Sequence, residues 1–312
     1  MADNTIGTNA SPGNTYTDPG RYYDRRFLER LTPNTILKQC GEMRPLPQRN
    51  GTLIKWHRLD KLTAATTPLT ENTTPTVTQQ GTTEITAEPL TYGAWSKIST
   101  ELNLKTINPI VEEIQDEQAD QAALTFDTII FNELHTNVTD QFAGGAVSEV
   151  TIADADVTNA SELRKAVFTL RSANVPAFEK NMYKYVIHPA AQFDLLSDTA
   201  AGSFVDASKH TTFEGVMNGE IGSLYGARIV VTTNLPTGTG ATDETYRSFL
   251  FGRQSFGVTE IAQHGIKTFR FKDGNTENPL MQYSTIGWKF MMAAKILQAA
   301  RAVEIYAGSG AT

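Results

Sequence analysis

Cysteine is nearly absent: Cys40 is the only one in 312 residues. That excludes an intramolecular disulfide framework and fits a reducing compartment. No run of about 20 apolar residues occurs, so no helix is expected to cross a membrane. The opening stretch MADNTIGTNASPGNTYTDPG has neither the basic nor the apolar segment of a secretory signal. The Asn-X-Ser/Thr matches at Asn9, Asn72, Asn137 and Asn159 are accordingly read as chance. Phosphate-binding and hydrolase motifs are missing too: there is no GxxxxGK[ST], GxGxxG or GxSxG, and Gly265-Ile266-Lys267-Thr268 breaks the P-loop spacing. The five histidines, His57, His135, His188, His210 and His264, form no HExxH and no i, i+4 pair, so each reads as structural or solvated. Cys40 has no activating neighbour and reads as a packed thiol. The sequence therefore points to no catalytic residue, no metal ligand and no cofactor site.

Basic residues are scarce where acids are dense. The whole chain carries 27 Lys/Arg against 34 Asp/Glu, net −7, which argues against a general nucleic-acid binder. Residues 1–60 carry nine basic and six acidic side chains, leaving −10 for the remainder. From Thr106 to Leu163 there is no Lys or Arg at all, against twelve Asp/Glu.

Within that acidic zone lies the most regular pattern in the chain, Asn108–Asn137. Ile110, Val111, Ile114, Ala122, Phe126, Ile129, Ile130 and Leu134 keep the three-and-four spacing of a helix with one apolar stripe. Asn108 suits the N-cap and Pro109 the first helical turn, with Glu112 and Glu113 complementing the dipole. At about 1.5 Å per residue such a helix runs roughly 40 Å. Its other face, with Glu112, Glu113, Asp116, Glu117, Asp120 and Asp127, is expected to be solvated. The heptad repeat is irregular, which favours the spine of a domain over a coiled coil.

The flanks supply partner-seeking elements. Residues 1–20 hold few core-forming side chains and are expected to be extended or disordered. RYYDRRFLERLTPNTIL is expected to form a short amphipathic helix, either packed on its own domain or docked on another subunit or an anionic surface. TLIKWHR alternates Leu53, Lys55, His57 against Ile54, Trp56, Arg58, a strand pattern. Residues 63–86 then hold eleven Thr in 24 positions with Pro68 and Pro75, before ITAEPLTYGAWSKIS restores strand character. Two strands around so long a polar tip predict a protruding hairpin that finds its partners on another chain. A linker between two globular halves is the alternative.

After the long helix, TNASELRKAVFTLRSANVPAF predicts an amphipathic helix with Ser161 as a candidate cap. KYVIHPAAQFDLLSD predicts a strand, a His188-Pro189 turn and a short helix. Ala227–Thr232 predicts a buried strand, and RSFLFGRQSFGVTEI a pair of strands turning at Gly252. The apolar ending LMQYSTIGWKFMMAAKILQAARAVEIYAG could be helical. Its β-branched and aromatic ends favour two long strands broken near Gln298–Arg301.

In this order the segments FLERLTPNTILKQCGEMRPLPQRNGTLIKWHRL, TTPLTENTTP, YVIHPAAQFDLLSD, NGEIGSLYGARIVVTTN and FGRQSFGVTEI resemble the major capsid proteins of tailed bacteriophages. The resemblance covers Arg26 to Tyr306. It implies an α+β fold of the Hong Kong 97 type with an N-terminal arm at 1–50 and an extended β-hairpin loop at 51–100. It further implies a peripheral domain at 101–154 plus 286–312, built on the spine helix 108–137, and an axial domain at 155–285. By the same resemblance the chain is a virion structural protein, not an enzyme, assembled in the bacterial host cytoplasm. Arm and hairpin contacts would join its copies as pentamers and hexamers of an icosahedral capsid. The shell would enclose double-stranded DNA without sequence-specific binding and without a membrane. Scaffolding, portal and decoration proteins are the implied partners. Lys55 and Lys61 lie on or beside the hairpin, but no motif carries the crosslinking chemistry of some relatives to them. An encapsulin-like nanocompartment shell, and a glycan- or host-binding virion protein using the Thr-rich hairpin, are the competing readings.

Overall fold

Long-range strand pairing organises the chain. The computed structural model describes residues 35–47, 51–75, 77–106, 110–178, 181–199, 222–241, 243–261, 267–271 and 278–311. The basic helix expected at 21–37 lies outside them up to residue 34, with only a 3₁₀ turn at Leu37–Cys40 following, and the cap at Asn108-Pro109, His210, His264 and Gly265 also lie outside. In chain order the elements are β1 (Glu42–Met43), β2 (Ile54–Leu59), β3 (Thr82–Ala87), β4 (Leu90–Ser99), α1 (Thr100–Lys105), α2 (Ile110–Asn137) and β5 (Thr139–Phe142). They continue as α3 (Ala160–Ser172), β6 (Tyr183–Ile187), α4 (Pro189–Ser197), β7 (Ser223–Leu224), β8 (Ala227–Val231) and β9 (Gly238–Thr239). The last are β10 (Glu244–Phe251), β11 (Phe256–Glu260), β12 (Lys267–Phe271), β13 (Tyr283–Ile296) and β14 (Ala302–Ala307). Two compact units result: one holds Thr91–Ala123 and Ile266–Phe290, the other Asn34–Leu90, Leu124–Gly265 and Met291–Thr312.

The smaller unit is built on the first half of β13, which pairs with β12 and β4. Its core is Ile98, Ile110 and Ile286, with Leu102 and Ile114 packed against them. Gln118 Nε2 donates to Ser96 Oγ at 2.8 Å and to the Ile286 carbonyl at 3.0 Å. The indole of Trp288 donates to Gln121 Oε1 at 3.2 Å. These bonds fix the start of α2 on the two strands, because a buried amide or indole left unpaired is costly.

The larger unit contains a seven-stranded mixed sheet in the order β5-β14-β10-β6-β8-β7, with β9 beside β10. Strand β14 pairs parallel to β5 and antiparallel to β10, and all six of its residues are buried. Such complete burial requires cover on both faces. One face presents Tyr185, Ile187, Leu250, Val303 and Ile305 to Leu163, Val167 and Leu170 of α3 and to Ala191 and Leu195 of α4. The other presents Phe249 to Phe131 of α2, ring edge to face at 5.7 Å.

Local chemistry explains the boundaries. Asn159, not Ser161, caps α3, accepting the Glu162 N–H at 2.9 Å. Ser161 already lies inside the first turn. The His188 ring caps α4, accepting from the Ala190 N–H at 3.2 Å, with Pro189 at the first helical position. Tyr225 and Gly226, both at positive φ, make the two-residue turn that joins β7 to β8. The ending is strand, not helix: β13 and β14 flank a short 3₁₀ turn at Ala299–Arg301, as its aromatic and β-branched ends predict.

Candidate assembly surfaces

Three side-chain environments separate what holds the chain together from what it offers to others. The first is the hairpin. Strands β2 and β3 pair antiparallel from Ile54↔Ala87 to Leu59↔Thr82. The Asp60 N–H closes the ladder on the Gly81 carbonyl at 3.0 Å, and Thr83 Oγ1 donates to Asp60 Oδ1 at 3.1 Å. ITAEPLTYGAWSKIS is two strands rather than one, because Glu88-Pro89 interrupts the ladder between β3 and β4. Trp56 anchors the hairpin base. It is buried against Gly257 of β11, where a Cβ would stand 2.8 Å from the indole ring. Beyond Asp60 the described loop residues are all exposed, including Leu62, Leu69 and Val77. Leu69 and Val77 are 79% and 83% exposed, so the loop has no core of its own. Lys55 and His57 both face Glu84 across the strands, at 3.3 and 3.6 Å. An exposed pair of that kind contributes at most about 1 kcal/mol.

The second environment is α2. Ala122, Phe126, Ile130 and Leu134 are buried as the apolar stripe predicts, and Phe131 joins them. The acidic face is split. Asp116 and Glu117 are exposed, whereas Asp127 is fully buried. Asp127 Oδ2 accepts the Ile36 N–H at 3.3 Å and the Asn234 amide at 2.9 Å. Burial raises its pKa against the opposing hydrogen bond from Asn234. The expectation of a solvated Asp127 is thus corrected: the carboxylate is a cross-brace between the segment before β1, the helix and the loop after β8. Glu133 also turns inward, pairing with Lys295 at 2.8 Å and accepting the Ile296 N–H at 3.4 Å.

The third is a polar network inside the larger unit, on the α2 side of the sheet. His135 Nδ1 lies 3.2 Å from both Glu304 oxygens and 3.1 Å from the Tyr306 hydroxyl. Tyr306 also donates to Asp140 Oδ1 at 3.4 Å, and Arg247 forks onto Glu149 at 2.9 and 3.0 Å. Burial pushes Glu304 up to about 8 against the pull of Arg247, and it pushes His135 down. The contact is therefore a neutral acid beside a neutral imidazole rather than an ion pair.

The remaining sequence candidates are plain. His57 is exposed on β2, and His188 caps α4 while stacking on Tyr246. Burial raises the Cys40 thiol to about 12, so it is inert. Among the described residues no three His, Cys, Asp or Glu side chains converge on a metal-sized site. Sequence reading missed Glu304 and Arg247. One acid inside the apolar run AVEIYA was the available signal, since a charge there needs a buried partner.

The larger unit thus combines a mixed sheet covered on both faces with a long polar hairpin that packs through Trp56 on β11 and displays an exposed loop. The chain belongs to the phage capsid protein family, whose model matches residues 80–303. It is a virion subunit that builds the capsid by self-assembly, not an enzyme. Solved capsids share the fold. The Cyanophage P-SCSP1u capsid structure aligns with TM-score 0.68 at 16% identity, over 99% of this chain and 97% of that one. The Ralstonia phage GP4 capsid aligns with TM-score 0.66 at 13% identity, over 98% of this chain and 100% of that one. The Cyanophage Pam1 capsid aligns with TM-score 0.66 at 14% identity, over 100% of both chains. The fold is the α+β, Hong Kong 97-type capsid fold that the sequence resembles. No curated protein matches by sequence.

Proposed function

We propose that copies of this chain join through the β2–β3 hairpin and the N-terminal arm into pentamers and hexamers of an icosahedral shell around double-stranded DNA. The observation that carries this reading is that residues 61–75 and 77–80 are all exposed, held on a two-stranded ladder and bearing Leu69 and Val77. Apolar side chains displayed on such a loop gain little in the isolated chain. A closed shell of identical copies supplies every loop with the same partner surface. Many modest contacts then act at high effective concentration.

In this reading 1–50 is the arm and 51–100 the extended loop. Residues 101–154 with 286–312 form the peripheral domain, and 155–285 the axial one. The exposed Asp116 and Glu117 of α2 suit a wall that faces packaged DNA without adhering to it, since phosphate and carboxylate repel. Scaffolding, portal and decoration proteins complete the partner set, and assembly takes place in the host cytoplasm. The family match favours this over a nanocompartment shell, whose cargo would be protein.

Negative-stain microscopy of the purified protein, with and without a scaffolding protein, tests the reading. Shells or capsomers are expected. A monodisperse monomer under every condition would count decisively against it.

A further inference from the structure

At the foot of the hairpin, inside the larger unit, is a cavity of about 100 Å³ whose lining includes Glu42, Arg44, Trp56, Arg58, Gln298 and Arg301. Its charged lining is mainly basic, three arginines against Glu42. Arg44 is occupied by Glu42, through Nε at 2.9 Å and a terminal nitrogen at 2.8 Å. Arg58 donates one N–H to the Leu297 carbonyl at 3.3 Å, and Asp60 stands off at 3.9 Å. Arg301 donates from a single terminal nitrogen to the Arg253 carbonyl at 3.2 Å and to Gln254 Oε1 at 3.1 Å. A guanidinium has five N–H groups, so both arginines keep donors in reserve. Trp56 is only 3% exposed, and its indole N–H has no acceptor among the described residues. Burial first, and the Arg58 charge next, lower the Arg301 pKa against the opposing pull of Glu42. Three arginines and the Trp56 indole thus meet one carboxylate, Glu42, in the lining, which leaves the cavity net positive.

We propose that this pocket is an oxyanion site that takes a carboxylate side chain from a second copy of the chain, gripped by Arg58 and Arg301 with the Trp56 N–H beneath. The assignment rests on the shell-forming reading above. Charge complementarity selects the occupant: Thr106–Leu163 carries twelve Asp/Glu and no Lys or Arg, and Asp116 within it is exposed. A planar guanidinium fork matches a carboxylate in geometry as well as in charge. The pocket sits beneath the element that would bring a second copy into reach.

The test begins with assembly of the wild-type protein and its imaging, so that failure of the shell reading is seen separately. Arg58→Gln/Arg301→Gln is then compared with wild type across a NaCl series by light scattering. Removing both guanidiniums is expected to lower assembly yield about tenfold at low salt and to flatten its salt dependence, with an unchanged melting temperature. Arg58→Lys/Arg301→Lys shells are treated with a carbodiimide, which joins a lysine amine to a carboxylate in contact with it. Mass spectrometry is expected to find a link between copies that ends within 106–163. Should the Gln variant melt lower, the Lys variant, which keeps the charge, carries the test. Wild-type yield and salt dependence in the Gln variant would overturn the proposal. So would the absence of any link between copies in the Lys shells. Inorganic phosphate is titrated into unassembled wild type by calorimetry to examine the other source of an oxyanion. Phosphate binding lost in the Gln variant, together with the link, supports the site. Phosphate binding without the link assigns it to a free anion and overturns the second-copy occupant.

Discussion

Replacing Glu304 by Gln should remove a defined part of the pH dependence of stability. Glu304 is fully buried in β14, faced by His135 from α2, Asp140 from β5, Glu149 from the following turn, Arg247 from β10 and Tyr306 from its own strand. Its pKa is raised from 4.5 to about 8. Between those values the folded chain holds a proton that the unfolded chain has released, so stability falls as pH rises. His135 works the other way. Its lowered pKa makes the unfolded chain bind the extra proton below 6.5, so its contribution is lost as pH falls. The two effects oppose each other around 6.5, where a lowered His188 adds to His135, and Glu304 dominates as the pH approaches 8. A carboxyl titrating near 8 loses roughly 1.5 kcal/mol of stabilisation from pH 6.5 to 8, since each tenfold fall in proton activity costs a fully bound proton about 1.36 kcal/mol. For a unit of about 200 residues that is a melting temperature lower by about 3–6 °C. The assay is thermal unfolding of the unassembled protein by circular dichroism at pH 6.5, 7.2 and 8, at fixed ionic strength. Gln keeps the shape and one donor but does not titrate, so the variant's melting temperature should stay level over that range. An equal slope in both proteins would refute a proton on Glu304.

Asp127→Ala should destabilise by about 1–3 kcal/mol, because the Ile36 N–H and the Asn234 amide lose their buried acceptor. Chemical denaturation measures it, and a change below about 0.5 kcal/mol would contradict the cross-brace. Asp116→Asn with Asp120→Asn should leave the stability of the unassembled chain intact while altering DNA retention, read by nuclease sensitivity and genome content of the heads that form. Unchanged packaging and retention would end the wall-repulsion idea. Cys40 should resist maleimide at pH 7.5 in the folded protein and react fully in denaturant, since burial holds its pKa at about 12. Rapid native labelling would show that the segment before β1 opens.

The elements that sequence pattern revealed are those whose periodicity is locally complete. The stripe through Ala122, Phe126, Ile130 and Leu134 fixes α2, and the Gly252 turn separates β10 from β11 without help from distant residues. The polar stretch 63–86 was equally plain, because eleven threonines with two prolines cannot form a core. Burial of individual polar groups was not. Asp127 sits in an acidic run, and only Ile36 and Asn234, 91 and 107 residues away, make it an interior group. Asn159 and Ser161 are both good capping residues standing close together, and pattern alone does not choose between them. The bond from the Glu162 N–H to Asn159 does. The Arg58–Arg301 pocket is invisible in sequence, since only the packing of Trp56 on β11 and the bond from Arg58 to the Leu297 carbonyl bring β2 to the turn before β14.

The hairpin loop is proposed to serve contacts between copies and not the fold of its own chain. Replacing residues 61–80 by Asn-Gly joins Asp60 to Gly81 through a two-residue turn suited to the β2–β3 ladder. Unfolding and negative-stain microscopy of this variant beside wild type give the most direct test. An unchanged unfolding transition and the loss of closed shells are expected. A variant that closes shells as wild type does, or one that fails to fold, would contradict the claim.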